Sequence, residues 1–231
     1  MRQFHAQYIW TAFIDLVPYL WVTLAMMAGT VFFGGLLGLL LARAKIRRGK
    51  LSRALAEVYI YLTRCIPSIV MLFVVYYGLP EFLLTFGIDM NHVGKGVFVI
   101  ITFSVLFSSA MCEVLRSAYL SVDPGQMEAA LSIGMSRKQA YIRIILPQAM
   151  EAALPNICNT TISLLKSTSL AFMMSVKDIT AIAKMKAAYG YNYIEAYLVI
   201  AFIYIIVCTI VQILFQLIER RISGYKKLVL S

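Results

Sequence analysis

Residues 196–218 read AYLVIAFIYIIVCTIVQILFQLI and contain no Asp, Glu, Lys or Arg. About 20 mostly apolar residues suffice for a helix to cross the hydrocarbon of a bilayer, so this stretch is long enough to span one. It is the cleanest of five such segments. Leu16–Ala42 carries no charge; Cys65–Pro80 is uncharged and continues into Phe82-Leu83-Leu84; Gly96–Cys112 is uncharged up to Glu113; Ala152–Val176 is interrupted by Lys166. Five spans place the two termini on opposite sides of the membrane.

The composition agrees. Of 231 residues, 61% are hydrophobic and 14% charged, against roughly 45–50% and about 25% in soluble domains. Mean hydropathy is +0.81. A globule of this size cannot hide so much apolar surface from water. An ordinary soluble enzyme is excluded, and the length fits one domain.

A net charge of +10 would suggest a nucleic-acid partner in a soluble protein. In a membrane protein it reflects the collection of Lys and Arg in cytoplasmic loops. Thirteen basic residues fall on one side: Arg43, Lys45, Arg47, Arg48, Lys50 and Arg53 after the first span, Arg137, Lys138 and Arg143 after the third, and Arg220, Arg221, Lys226 and Lys227 after the fifth. Five, Arg2, Lys95, Lys177, Lys184 and Lys186, fall on the other. The N-terminus is therefore expected outside and the C-terminus in the cytoplasm, with no nucleic-acid partner. Cys65, Cys112, Cys158 and Cys208 show no CxxC spacing, and with His5 and His92 alone no histidine metal cluster can be built.

The first apolar stretch exceeds the 7–15 residues of a signal-peptide core and follows Asp15 rather than a basic cluster, so it is expected to be a retained helix. Residues 1–15, with Phe4, Tyr8, Ile9, Trp10 and Phe13 among polar neighbours, read as an interfacial amphipathic segment. Residues 178–190 form a helix-like stretch in an external loop, and residues 222–231 a basic cytoplasmic tail.

The loop at 122–149 is too patterned for a simple connector. Within it, residues 128–149 read EAALSIGMSRKQAYIRIILPQA. Glu128–Ile133 predicts a short helix whose adjacent Ala129 and Ala130 let another surface approach closely. Gly134 can take positive φ and end it. Ser136 is a plausible N-cap for a second helix, in which Ala140, Tyr141, Ile144 and Ile145 form one apolar face. Pro147 is expected to stop or redirect it. An L-shaped pair results, which either rests on lipid headgroups or docks against a partner.

This loop resembles the signature of the membrane permease subunits of binding-protein-dependent ABC importers: EAA, three residues, Gly, nine residues, then I-x-L-P. Glu128, Ala129, Ala130, Gly134, Ile144, Leu146 and Pro147 stand at that spacing. In that family the loop is a coupling helix seated in a groove of a cytoplasmic ATPase. The resemblance extends over about residues 16–221 to the permeases of polar amino acids. Pro67, Leu72, Phe73 and Tyr76-x-Gly78-Leu79-Pro80 fit their second helix, Glu113 and Arg116 an E-x-x-R element, Gly125-Gln126 the approach to the EAA, and Pro155, Asn159, Lys166 and Thr168-Ser169-Leu170 the fourth. Met71, Ala110 and Ser117 depart from the usual Gln, Tyr and Gly.

Glu113 and Arg116, three apart, share a helix face and can pair. Lys166 is followed by Ser167, Thr168 and Ser169, whose hydroxyls can bond to backbone where a helix is irregular. An ion inside a span costs roughly 2.5–3.5 kcal/mol on insertion scales, so it has a partner or a purpose. Either these charges fix packing and gating, or Met71, Glu113, Arg116, Asn159, Lys166, Thr168 and Ser169 line a path for an amino acid. Pro67, Pro80 and Pro155 mark kinks, and Gly29, Gly34, Gly35 and Gly38 a helix-packing face.

The expected protein is thus an all-α membrane protein of five transmembrane helices with the type I ABC importer permease fold. The resemblance implies a dimer with a second copy or paralogue, an ABC ATPase dimer and an extracytoplasmic solute-binding protein, in a bacterial cytoplasmic (inner) membrane. No GxxxxGK[ST] occurs, so ATP and magnesium belong to the partner and the chain binds no cofactor. The rivals are an importer permease for another small nitrogen or sulfur solute, and a channel or scaffold with no ATPase. An intramembrane protease lacks its GxSxG or HExxH.

Overall fold

The computed structural model describes the backbone of residues 6–46 and 49–229, and side chains over 8–46 and 49–222. Arg2, Phe4, Arg47, Arg48 and the Lys226 and Lys227 side chains lie outside the described residues. Among the described residues eleven α-helices run in chain order: α1 (Ala6–Leu16), α2 (Leu20–Ile46), α3 (Lys50–Cys65), α4 (Ser68–Phe73), α5 (Leu79–Leu84), α6 (Lys95–Leu120), α7 (Pro124–Ser132), α8 (Arg137–Ala140), α9 (Leu146–Ser167), α10 (Ile179–Gly190) and α11 (Tyr193–Val229). No strand occurs among the described residues.

By length and apolar composition three helical stretches among the described residues qualify as spans, Tyr8–Ile46, Lys95–Leu120 and Tyr193–Ile222, and the bent pair α3 with α4–α5 counts as a fourth where it crosses as one broken span. The segment expected at 152–176 is the C-terminal part of α9 followed by a 3-10 turn over Thr168–Met174. Asn156, Asn159, Thr160, Thr161 and Lys166 interrupt its apolar run, and α9 is not among the helices that qualify.

The centre of the molecule is the α2–α6 pair, and glycine explains their approach. A Cβ at Gly34 would lie 2.9 Å from the Ser104 carbonyl oxygen, and one at Gly38 would lie 2.8 Å from Met111 Cβ. Small residues are what let helices touch where no hydrophobic effect drives them together. Gly29 meets Ile100 on the same face, whereas Gly35 meets nothing within 4 Å. Three of the four expected glycines therefore pack and one does not. Around this seam Met26, Leu72, Val99, Phe103, Phe107, Met111 and Leu164 form an apolar core shared by α2, α4, α6 and α9.

The second apolar segment begins at a corner. Ile66 is extended (φ −91°, ψ 124°) because the ring of Pro67 disfavours the helical region for the residue before it. The two halves of the pair bend by 106°. On the near side of the corner α3 is tied to α6 by the Tyr59 hydroxyl, which lies 2.9 Å from Ser108 Oγ and donates to the Val105 carbonyl oxygen at 3.1 Å.

The N-terminal segment continues through a 3-10 turn at Val17–Tyr19 into α2, making a 39-residue rod over Tyr8–Ile46. At about 1.5 Å per residue this is about twice the length that the hydrocarbon requires. Its first turns pack on α10 and α11: Ala12 and Leu16 are buried with Ile179, Ile182, Ala183 and Ala196. Asp15 pairs with Lys186 of α10. The stretch expected to be helix-like at 178–190 is a helix, capped by the Asp178 side chain, which accepts from the Ala181 amide at 2.8 Å.

Candidate coupling hairpin and translocation path

The hairpin forms from local signals that agree with one another. Asp123 caps α7, accepting from Gly125 N at 2.8 Å, with Pro124 in the first turn, where a missing N–H loses no bond. At the other end Gly134 adopts φ +87°. Met135 N donates to Ala130 O at 3.1 Å and Gly134 N to Leu131 O at 3.0 Å, the paired bonds of a Schellman ending. Two residues later Ser136 and Gln139 form a reciprocal capping box, at 3.3 and 2.9 Å, that starts α8.

Of the two outcomes expected at Pro147, a stop or a redirection, the stop does not occur. A π turn over Tyr141–Ile145 joins α8 to α9, and the chain stays helical through Pro147, which falls in the first turn of α9. The wider turn lies where the ring of Pro147 would otherwise meet the carbonyl four residues earlier. Gln148 Nε2 donates to Ile144 O at 3.0 Å.

In this hairpin Ala130, Ala140 and Ile145 are buried, while Glu128 and Ala129 are exposed. Ile133, at the corner, is 78% exposed. Tyr141 and Leu146 are exposed and Ile144 and Pro147 half-buried, so the expected apolar face divides, with Ala140 and Ile145 turned inward. The segment thus leaves an acid, an alanine and a large apolar side chain facing outward.

The candidate path residues separate into different places. Glu113 and Arg116 pair as expected, Arg116 donating to Glu113 Oε2 at 2.9 and 3.1 Å. Sequence reading missed a third member: Lys45 of α2 donates to Glu113 Oε1 at 2.6 Å. Met71 is buried on α4 and makes no part of that triad. Thr168 is wholly buried and donates to Leu165 O at 2.7 Å, Ser167 to Ser163 O at 2.9 Å, and the half-buried Ser169 to Lys166 O at 2.7 Å. Three hydroxyls in a row thus bond back where α9 tightens into the 3-10 turn.

Asn159 and Lys166 share a face. Together with Pro155, Asn156 and Ser163 they recur at three- and four-residue spacing, and all five are exposed. One stripe of α9 is therefore polar and uncovered in the single subunit. Beside it a cavity of about 140 Å³ lies between α4, α6 and α9, with Ser68, Thr160, Ser163 and Ser167 among its walls and Ala110 opposite. Of these hydroxyl residues the sequence reading had named only Ser167; the period-3.6 recurrence of Asn, Thr and Ser along α9 was the signal that could have found the others.

Residues 34–224 match the model of the binding-protein-dependent transport system inner membrane component. The chain belongs to that family. It is a multi-pass permease and a non-catalytic transmembrane subunit. Among its relatives, the probable amino-acid permease protein YxeN of Bacillus subtilis (strain 168) is 39% identical over 94% of this chain and 95% of its own. The L-cystine transport system permease protein TcyL of the same organism is 38% identical over 90% of this chain and 89% of its own. A crystal structure of an amino acid ABC transporter with histidines superposes with a TM-score of 0.79 at 31% identity, covering 96% of this permease and 99% of that chain. The type I importer permease fold expected from the sequence is the fold observed.

Proposed function

We propose that this permease is the membrane subunit of an ATP-driven importer of a polar amino acid or close derivative. Two permease subunits, identical or paralogous, enclose the path, and the α7–α8 hairpin seats in a groove of the ATPase. The observation that carries the reading is the hairpin itself: a doubly capped corner holding Ile133 and Glu128 outside the bundle, where a soluble partner can reach them.

Closure of two ATPase subunits on ATP draws the two hairpins together and opens the path outward to an external solute-binding protein; hydrolysis reverses the motion. The uncovered stripe of α9, with Asn156, Asn159, Ser163 and Lys166, faces the second subunit and supplies polar groups to a zwitterion crossing an apolar barrier. The amino-acid names of the relatives and the orientation set by basic residues, with the N-terminus outside, support the same reading.

Purification from membranes in mild detergent tests it. A stoichiometric P-loop ATPase copurifies with the unaltered chain and is lost from Glu128→Lys, while membrane insertion of the variant is unchanged. A stable permease without any ATPase, or equal recovery with Glu128→Lys, contradicts the proposal.

A further inference from the structure

A second, larger cavity lies at the C-terminal end of the α2–α6 seam. It measures about 490 Å³ and is walled by the end of α2, the end of α6 and the start of α9, with Leu39, Leu115, Tyr119, Tyr141 and Met150 among its lining and Arg43 the one charged residue. That volume is within the range of small-molecule sites. It opens beside the exposed apolar face of α2, where Phe32, Phe33, Leu36, Leu39 and Leu40 are each more than half uncovered.

The nearby acid on α6 is already taken, and Arg43 itself is not paired among the described residues. Lys45 and Arg116 hold Glu113, and Arg53 holds Glu57 at 2.9 Å. Arg43 makes no ion pair among the described residues. An apolar slot open to acyl chains and ending at an uncommitted guanidinium matches a lipid with an anionic headgroup, and basic pockets between helices at the cytoplasmic surface are known to select such lipids.

We propose that this cavity binds one anionic phospholipid of the cytoplasmic leaflet, its phosphate on Arg43 and an acyl chain between Leu39, Leu115 and Met150. The assignment to that leaflet rests on the membrane orientation in the proposed function. Because Tyr141 and Leu146 of the π turn region also line the cavity, the lipid touches both the α2–α6 seam and the root of the coupling hairpin. Its presence therefore bears on how firmly the hairpin is held.

Native mass spectrometry of the purified permease–ATPase complex, stripped of lipid and titrated with phosphatidylglycerol or phosphatidylcholine, tests this. The unaltered complex retains phosphatidylglycerol in preference to phosphatidylcholine. Arg43→Gln lowers that retention about fivefold, the worth of one basic side chain near an anionic lipid surface. Met150→Trp, which fills the slot and leaves the cation in place, lowers retention of both lipids. Unchanged retention in both variants overturns the proposal. So does an unaltered complex that retains no lipid because a second copy of the chain or a soluble partner fills the cavity. Failure to recover any complex contradicts the importer reading instead, so the two failures are distinguishable.

Discussion

Lys45 in the last turn of α2 donates to Glu113 of α6 at 2.6 Å across 68 residues of sequence, and Arg116 holds the other oxygen of the same carboxylate. One acid thus ties α2 to α6 beyond their glycine-lined seam. The three side chains are between 14% and 33% exposed. Removing one partner of such a charge-assisted pair costs about 1.5–3 kcal/mol when it is buried, and less with water at hand.

Glu113→Ala is therefore expected to lower the thermal midpoint in detergent more than Lys45→Ala, because it leaves two cations unpaired. The double variant is expected to lose less than the sum of the two. Strict additivity in that cycle would show the pair to be energetically idle.

Gly38 and Gly35 give a contrast within one helix. Gly38→Ala drives a methyl into Met111 and the Ser108 carbonyl, and overpacking of this kind costs about 1–3 kcal/mol. Gly35→Ala meets nothing and gains up to about 1 kcal/mol of helix propensity. Thermal unfolding of the two variants should move in opposite directions. An equal loss in both would mean that α2 does not pack through this face.

Asp178 caps α10 from a fully buried position, and burial pushes its carboxyl above the ordinary range. The folded state then favours the neutral acid. Its contribution is fully present below the ordinary carboxylate value and is lost as pH rises through the raised one. Asp178→Asn keeps an acceptor for the Ala181 amide and removes the titration, so its thermal midpoint should gain on the unaltered chain as pH rises from about 4 to 8. Against Asp178→Asn, Asp178→Ala should lose about 1 kcal/mol of capping at every pH. A constant gap between the unaltered chain and Asp178→Asn across that range would contradict a buried, strained carboxylate.

At the hairpin corner the space around Gly134 is open but its φ is +87°. Gly134→Val is expected to fail through backbone strain of about 1–2 kcal/mol rather than by a clash. Ser136→Ala should remove about 1 kcal/mol of capping from α8 and leave the corner itself in place. ATPase recovery should fall sharply for the first and partially for the second. The reverse order would place the important constraint in α8.

The hairpin was legible because its determinants are local: Gly134, Ser136 and Pro147 act on backbone within a few residues. Even so, residue type alone left open whether Pro147 stops or redirects the chain, and a stop does not occur. The glycine face of α2 was legible in kind, but which of Gly34, Gly35 and Gly38 would touch α6 depends on helix rotation, which residue spacing alone leaves open. Lys45 was assigned to a loop by its place in a basic run. Its partner lies on another helix, and no periodicity connects the two. The packing of α1 on α10 and α11, with Asp15 on Lys186, joins segments 171 residues apart. The sequence shows only that residues 1–15 are amphipathic.

The most direct test of the central claim is uptake by proteoliposomes holding the permease, its ATPase and a cognate binding protein, with radiolabelled polar amino acids supplied outside. The account predicts accumulation that requires ATP inside, is confined to a polar amino acid or close derivative, and is abolished by Glu128→Lys. Flux that runs without ATP, or that survives Glu128→Lys undiminished, would contradict it.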